Sequence, residues 1–600
     1  MRDCRLQIAD CRLNRELFPL HWFVRKSAIC NLQSAIKLVL LASAFLTLAC
    51  PCAAQTTAPR EDILRLVPPD TGVCLVVSDL RGHWPKVRDA AWIKNLRESS
   101  LGKVLAADPQ MARLRQVDSD LKKHLDVDVA QLRDDILGDL MVFAYKPAPP
   151  GQSKDEQGLV LLWARKPDLL AQIVKRLNEA QLNKELKEVV AVDYLGSRYF
   201  RRVERTQTHF YFLDGSLFAY TSQEAIIRQV IERHKKKDGD SQLGKRLDRA
   251  GAGSALASLW VNPRAFDADL KYKAKDAKDA QEVLVLKTFL SYWQALDGII
   301  LSVSLADHTA IRFTLQARVP ELPKAIKPLF TESSTTSELW SRFPQKAIFR
   351  MVNRVNAAEL VDALAELTPP AAKQVIAEKV QVVVRAFLQL DLVKDVLPNI
   401  GPDWGVCIAA GPAKNDCPHV LAALAVRPGS GEVAVDQALI TGIRQLANIG
   451  ILPYNLKYPA DPIRLEKLKQ GRVEIQYLVN DKVFPPGLQP AFALKDGYLL
   501  LASSPEAIAQ FQKTAPPAFP RGETPLMELS LRELGQFLKV RRQKVVGYLS
   551  SQSQISEETA GQLLDGLLAA FDLFDRVLLS ERRQTGQVTW TLRLGNGGSR

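Results

Sequence analysis

Cysteine and histidine are scarce in this 600-residue chain, with 8 and 7 copies, and their placement narrows the chemistry open to it. Five of the cysteines (4, 11, 30, 50 and 52) fall before residue 54, leaving Cys74, Cys407 and Cys417. Three thiols cannot build a disulfide framework. Cys407 and Cys417 could pair in an oxidising compartment, but they flank a predicted hairpin loop at positions that do not face each other. Cys74, inside the apolar run Val73-Cys-Leu-Val-Val77, reads as a buried structural thiol. The histidines past residue 54 (His83, His124, His209, His234, His308, His419) are isolated, with no His-Glu-x-x-His and no nearby cysteine, so no zinc site is expected. No run of 18 apolar residues occurs, which argues against an ordinary membrane-spanning helix.

Catalytic signatures are missing as well. There is no Gly-x-Ser-x-Gly elbow and no Gly-x-x-x-x-Gly-Lys loop, and Gly251-Ala-Gly-Ser-Ala does not continue into a dinucleotide fingerprint. Ser100-Leu-Gly-Lys103 has the Ser-x-x-Lys spacing of penicillin-interacting enzymes. The companion elements are poor, however: Lys513-Thr-Ala and Ser78-Asp-Leu stand in for Lys-Thr-Gly and Ser-Asp-Asn. The sequence therefore assigns no catalytic, cofactor-binding or metal-binding residue, and implies no cofactor.

What is present is an ordinary globular composition, 47% hydrophobic and 24% charged. At this length more than one core is expected, because single cores stop growing near ~250–300 residues. The formal charge is +14, of which the first 54 residues hold seven basic and three acidic side chains, leaving +10 on the remainder. Such a surplus can attract an anionic envelope surface. Its basic residues alternate with acids, as in Lys271-Tyr-Lys-Ala-Lys-Asp-Ala-Lys-Asp, and lack interleaved aromatics, which argues against nucleic acid.

Lys37 precedes the apolar run Leu38 to Ala49, followed by Cys50-Pro-Cys-Ala-Ala-Gln55. A basic flank, a short apolar core and small residues form a secretory signal, with cleavage expected after Ala54. A lipoprotein signal would instead acylate Cys50, but Thr47 stands where such signals carry Leu. Upstream, Cys4-Arg-Leu-Gln-Ile-Ala-Asp is echoed by Cys11-Arg-Leu-Asn-Arg, so residues 1–36 read as a mis-assigned start, with translation beginning near Val24 to Leu38. The expected address is extracytoplasmic: periplasm or cell envelope.

The strongest internal pattern is a pair of matching segments. Asp214 to Ile226 and Asp496 to Ile508 share seven of thirteen positions without a gap. Pro69 before Val73-Cys-Leu-Val-Val is answered by Pro344 before Ala347-Ile-Phe-Arg-Met-Val, and Gly138 by Gly401. Near the ends, Ile311, Phe313, Leu315 and Ala317 alternate with Arg312, Thr314 and Gln316, as Val588, Trp590, Leu592 and Leu594 do with Thr589, Thr591 and Arg593. Alternation of period two predicts one buried apolar face, one wet polar face and antiparallel sheet.

The expected architecture is α+β: a leader at 1–54, then two tandem diverged copies of one domain at 60–319 and 344–597, joined by a proline-rich linker at 320–343. In the first copy strands are predicted near 73–79, 140–146, 158–164, 208–213, 216–221, 255–261, 298–305 and 310–318. A helix from Pro167 places Leu169, Leu170, Ile173, Val174 and Leu177 on one face.

Four matched acids, Asp214, Glu224, Asp496 and Glu506, invite a catalytic reading, but turn and cap chemistry accounts for them. Asp-Gly between apolar runs is a two-residue hairpin turn whose central positions both take positive φ. Thr221 with Glu224, and Ser503 with Glu506, have capping-box spacing. The acids at Asp126, Asp128, Asp134 and Asp135, and at Asp391 and Asp395, lack the ligand spacing of a calcium loop and read as helix faces and starts.

Together the leader, Pro68-Pro-Asp-Thr-Gly-Val73, the acidic stretch ending at Leu137-Gly-Asp139 and the Asp-Gly hairpin before Ser-x-Glu-Ala-Ile give the chain a recognisable outline. It resembles a family of exported bacterial proteins defined only as a domain of unknown function. The second copy departs from that outline, with Pro402-Asp403-Trp404 after Gly401 and no Pro-Pro-Asp opening. The resemblance implies architecture and address but no catalytic residues. The function expected is that of a non-enzymatic envelope scaffold or binding protein, whose partner is an anionic envelope surface or another envelope protein. The alternatives are an envelope hydrolase whose residues converge only in space, and a periplasmic binder of a small molecule or lipid.

Overall fold

A computed structural model describes residues 60–595, apart from 99–101, 104–108, 153–154, 183–185, 237–239, 277–279, 306–308, 325, 360, 362–369, 413–414, 416 and 429–433. The leader, Ala54 and Cys50 lie outside the described residues. The protein is α+β. Its first half supplies β1 (Val73–Ser78), β2 (Leu140–Lys146), β3 (Gln157–Trp163), β4 (Leu186–Tyr194), β5 (Ser197–Glu204), β6 (Thr208–Asp214), β7 (Leu217–Thr221), β8 (Ala257–Val261), β9 (Leu296–Leu305) and β10 (Thr309–Ala317). The second half supplies β11 (Ala347–Arg354), β12 (Ile400–Ala409), β13 (His419–Val426), β14 (Arg464–Gln470), β15 (Val473–Val479), β16 (Ala491–Lys495), β17 (Tyr498–Ala502), β18 (Thr524–Ser530), β19 (Arg576–Gln584) and β20 (Gln587–Gly595).

These strands form one 20-stranded sheet with antiparallel pairing throughout. In the first half the neighbours run β4-β5-β6-β7-β3-β2-β1-β8-β9-β10. From the other edge the second half runs β14-β15-β16-β17-β13-β12-β11-β18-β19-β20, the same connectivity in the same order. The halves meet where β10 pairs with β20, from Thr309 opposite Leu594 to Gln316 opposite Gln587. The two strands whose alternation matched in the sequence are thus hydrogen-bonded to each other.

Helices cover the outer parts of the sheet on both sides. On one side of the first half, Ile226, Ile227, Val230 and Ile231 of helix Glu224–Lys236 pack on Val142, Leu161 and Ala219. Each such buried aliphatic contributes about 1.5–3 kcal/mol. On the other side, Leu170 and Ile173 of helix Pro167–Gln181 bury Met141 and Leu162, while Leu177 at the far end of the predicted stripe stays exposed. The second half repeats this with Ile508 and Phe511 on one side and helix Val435–Lys457 on the other. A π-helical turn precedes the second strand of each half, at Leu132–Ile136 and Leu392–Val396.

Two expectations change. The segment 320–343 is not a loose linker: Leu322 and Phe330 pack on Val588, and Leu339, Trp340 and Phe343 are buried in the second core. Its prolines shape turns without preventing burial of the apolar residues between them. The hairpin 186–204, formed by β4 and β5, was not among the strands located from the sequence; it lies at the sheet margin, where a two-sided apolar pattern is not required.

Candidate functional site

The four matched acids are structurally committed or stand apart. Asp214 lies 3.0 Å from His234 Nε2, and Asp496 3.1 Å from Arg342 Nη1. Glu224 accepts from the Tyr199 hydroxyl and from Arg228, which together hold its carboxyl below the usual range. Glu506 sits exposed on the first turn of helix Pro505–Ala509. No capping box forms at either place. Thr221 Oγ1 accepts from Gln223 N at 3.2 Å while Glu224 is held elsewhere, and in the second half Ser504, not Ser503, caps the helix by accepting from Ala507 N.

The repeated Asp-Gly is also not equivalent in space. In the second half the loop is Asp496-Gly497, both with positive φ as expected. In the first half Asp214 pairs with Leu217, so the loop is Gly215-Ser216 and only the glycine is left-handed. The ungapped sequence match is therefore one residue out of step with the hairpins. A slip of one residue exchanges the faces of a strand. Leu217 and Ala219 face the first core; their counterparts by position in the hairpin are Tyr498 and Leu500, which face the second, whereas the sequence match aligned them with Leu499 and the exposed Leu501.

The acidic stretches serve as caps and ion pairs. Asp128 accepts from Gln131 N, Asp135 pairs with Lys166, and Asp391 accepts from Val393 N and Lys394 N. The bond from Lys394 N leads the causes that depress the Asp391 carboxyl. Among the described residues no group of three His, Cys, Asp or Glu side chains could hold a metal. Cys74, Cys407 and Cys417 are free, and burial pushes the Cys407 thiol up to about 12. Ser100 and His308 lie outside the described residues.

What the fold brings together is a surface. Between the helix-covered ends, β8, β9, β10, β20, β19 and β18 turn one set of side chains toward Leu259, Leu301, Phe313, Leu592 and Leu579, all on one face by register. On these interior strands Leu301 is 40% and Phe313 39% exposed, and Leu501 on β17 reaches 46%. Interior strands covered by a second layer would bury such residues, so this face is open. It is closed at one end, where Val588 lies under Phe330. Phe313 stacks with Trp590 across the join at 5.9 Å.

The opposite face of the same strands is buried and mostly polar, with Trp260, Ile300, Ala310 and Leu578 as its apolar members. Ser258, Ser302, Thr314, Gln316, Thr589, Thr591 and Ser580 are shielded there. Thr314 and Thr589 are hydrogen-bonded at 3.0 Å, and Gln316 donates to Gln587 at 3.1 Å. Beside them Arg593 and Ser580 converge on Glu523. Burial alone would raise the Glu523 carboxyl, but the bonds from Arg593 and Ser580 and the charge of Arg582 outweigh it and hold it low. Burial lowers Arg312, which donates to Ser304 at 2.9 Å. The alternation read from the sequence is real, and Val588 and Ala317 are buried as predicted, but in the middle of the ladder the faces are interchanged: Phe313 is open while Thr314, Gln316, Thr589 and Thr591 are buried.

No family model matches the chain, and neither does any curated protein. Two solved structures are similar in part. Crystal form IV of TP0453 is 10% identical with a TM-score of 0.23, over 43% of this chain and 81% of that one. Crystal form III is 10% identical with a TM-score of 0.22, over 46% and 89%. Likeness at that level carries no functional argument. Among the described residues no helix is long and apolar enough to cross a membrane.

Proposed function

We propose that this chain is an exported envelope protein that works as a binding scaffold rather than an enzyme, and that its open apolar sheet face takes the acyl chains of lipid. On this reading the two halves are diverged copies of one domain, as the resemblance to exported proteins of unknown function also implies. The observation that carries it is the exposure of Leu301 and Phe313 on interior strands of the sheet. Contiguous apolar surface of that kind marks an interaction site. Nearby, helix Val435–Lys457 exposes Leu446, Ile449, Leu452 and Leu456 along one stripe. The +10 charge outside the leader complements anionic headgroups, which favours lipid over a neutral apolar partner. A hydrolase would need nucleophile, base and oxyanion donors within reach of one another; the matched acids do not supply that set.

The test is flotation of the chain from residue 55 with phosphatidylethanolamine and phosphatidylglycerol vesicles. Co-flotation is expected, and Leu301→Asp with Phe313→Asp should abolish it. The two positions face each other across β9 and β10, where paired aspartates repel, so Leu301→Gln with Phe313→Gln is the uncharged variant that should lose flotation with the fold intact by circular dichroism. Flotation unchanged in that variant, or none in the parent chain, would overturn the proposal.

A further inference from the structure

On the side of the sheet away from the apolar face, a cavity of about 230 Å³ opens beside the first core. Its walls come from the segment 64–69, the end of helix Glu224–Lys236, the start of helix Gln242–Arg249 and the tip of β8. Three arginines line it: Arg65, Arg233 and Arg246. Local folding holds each in place. Arg233 Nη1 donates to Val67 O at 2.7 Å, Arg246 Nη1 donates to Asp297 O at 2.9 Å, and the Arg246 guanidinium lies 5.7 Å over the Trp260 ring. Arg65 pairs with Asp62 at 3.4 Å.

Neither Arg233 nor Arg246 has a carboxylate partner among the described residues. Asp240 also lines the cavity, and it is taken by Lys245. Each of these two guanidiniums spends one of its five N–H groups on a carbonyl and keeps the rest. The helix start adds donors of its own. Ser241 is buried and its Oγ accepts from Gly244 N at 2.9 Å, which leaves its hydroxyl hydrogen to give. The first N–H groups of a helix, at Gln242 and Leu243, have no partner within the helix and carry its positive end.

We infer that this cavity binds a phosphate monoester. Forked guanidiniums, a hydroxyl and helix N–H groups outnumber the acceptor positions of a carboxylate and suit the three terminal oxygens and double charge of a phosphoryl group. The volume lies below the ~300 Å³ at which ordinary small-molecule pockets begin, so a small headgroup fits better than a nucleotide. The inference stands apart from the lipid-face proposal, since it concerns the opposite side of the sheet and different residues.

Calorimetry on the chain from residue 55, at fixed ionic strength, would use inorganic phosphate and glycerol 3-phosphate. A second arm would compare flotation with vesicles of phosphatidic acid in phosphatidylcholine against phosphatidylglycerol in phosphatidylcholine at matched surface charge, using the Leu301→Asp, Phe313→Asp variant so that the sheet face does not contribute. Saturable binding of glycerol 3-phosphate without vesicle binding identifies a soluble monoester. Binding to phosphatidic acid vesicles as well identifies a lipid headgroup. Arg246→Gln and Arg233→Gln should each weaken binding about tenfold or more, and Arg233→Lys less. Because Arg246 also ties down Asp297, the decisive variant is Gln242→Glu. That exposed residue starts the helix, where a carboxylate suits the fold but repels a dianion. Binding unaltered by Gln242→Glu, or no saturable binding in either arm, would overturn the inference.

Discussion

At the scale of single residues, buried charge is where the protein is most easily hurt. Glu523 is the acceptor on which Arg593 and Ser580 converge, beneath the central strands. Glu523→Gln should cost about 3–5 kcal/mol in urea unfolding, because it removes the shielded carboxylate on which Arg593 and Ser580 converge. Two histidines set a second vulnerability. Burial lowers the pKa of both His83 and His209 below the ordinary imidazole value. A depressed folded-state value means their contribution is fully present above the unfolded value of about 6.5 and is lost as pH falls through the folded values. The urea midpoint should therefore decline from pH 7 to pH 5, and the double variant His83→Asn, His209→Asn should flatten that slope whatever it does to stability at pH 7.

At the scale of elements, the two hairpins separate what a sequence can tell from what it cannot. Short apolar runs bounded by turn residues, and alternation in the closing strand β10, located β1, β2, β3, β6, β7, β8, β9 and β10 within about two residues. Alternation could not report which side of the pleat is covered. Thr314 and Gln316 are buried because Thr589 and Gln587 lie opposite to satisfy them, and that pairing spans more than 270 residues of chain. In the second half the cap is Ser504, one position past Ser503, and the same letters, Asp-Gly, turn at Gly215-Ser216 in one half and at Asp496-Gly497 in the other. The open face, read as core, was legible only as a list of apolar residues. Gly497 has φ +80 and open space around it, so Gly497→Ala meets no clash and should cost only the backbone strain, about 1–2 kcal/mol by thermal unfolding.

At the scale of the whole molecule, what joins the halves among the described residues is chiefly a hydrogen-bond ladder, β10 to β20, with the side chains on both faces of it. A sheet must stop somewhere, and the outermost strands show how this one does. The strand β14 carries Arg464, Glu466, Lys467 and Lys469, and β4 carries Lys187, Glu188 and Asp193, charges that discourage another chain from adding itself there. The strand β10 has no such protection along its apolar face, since Ile311, Phe313 and Leu315 meet Leu592, Trp590 and Val588. Residues 60–330 made alone would keep their own core but present β10 as a sticky margin. They should elute as a dimer in size-exclusion chromatography, with Ile311→Lys and Phe313→Lys restoring a monomer, and a monomeric parent fragment would contradict this. The second half then acts toward the first as a permanently tethered partner, present at a fixed ratio of one and immune to dilution.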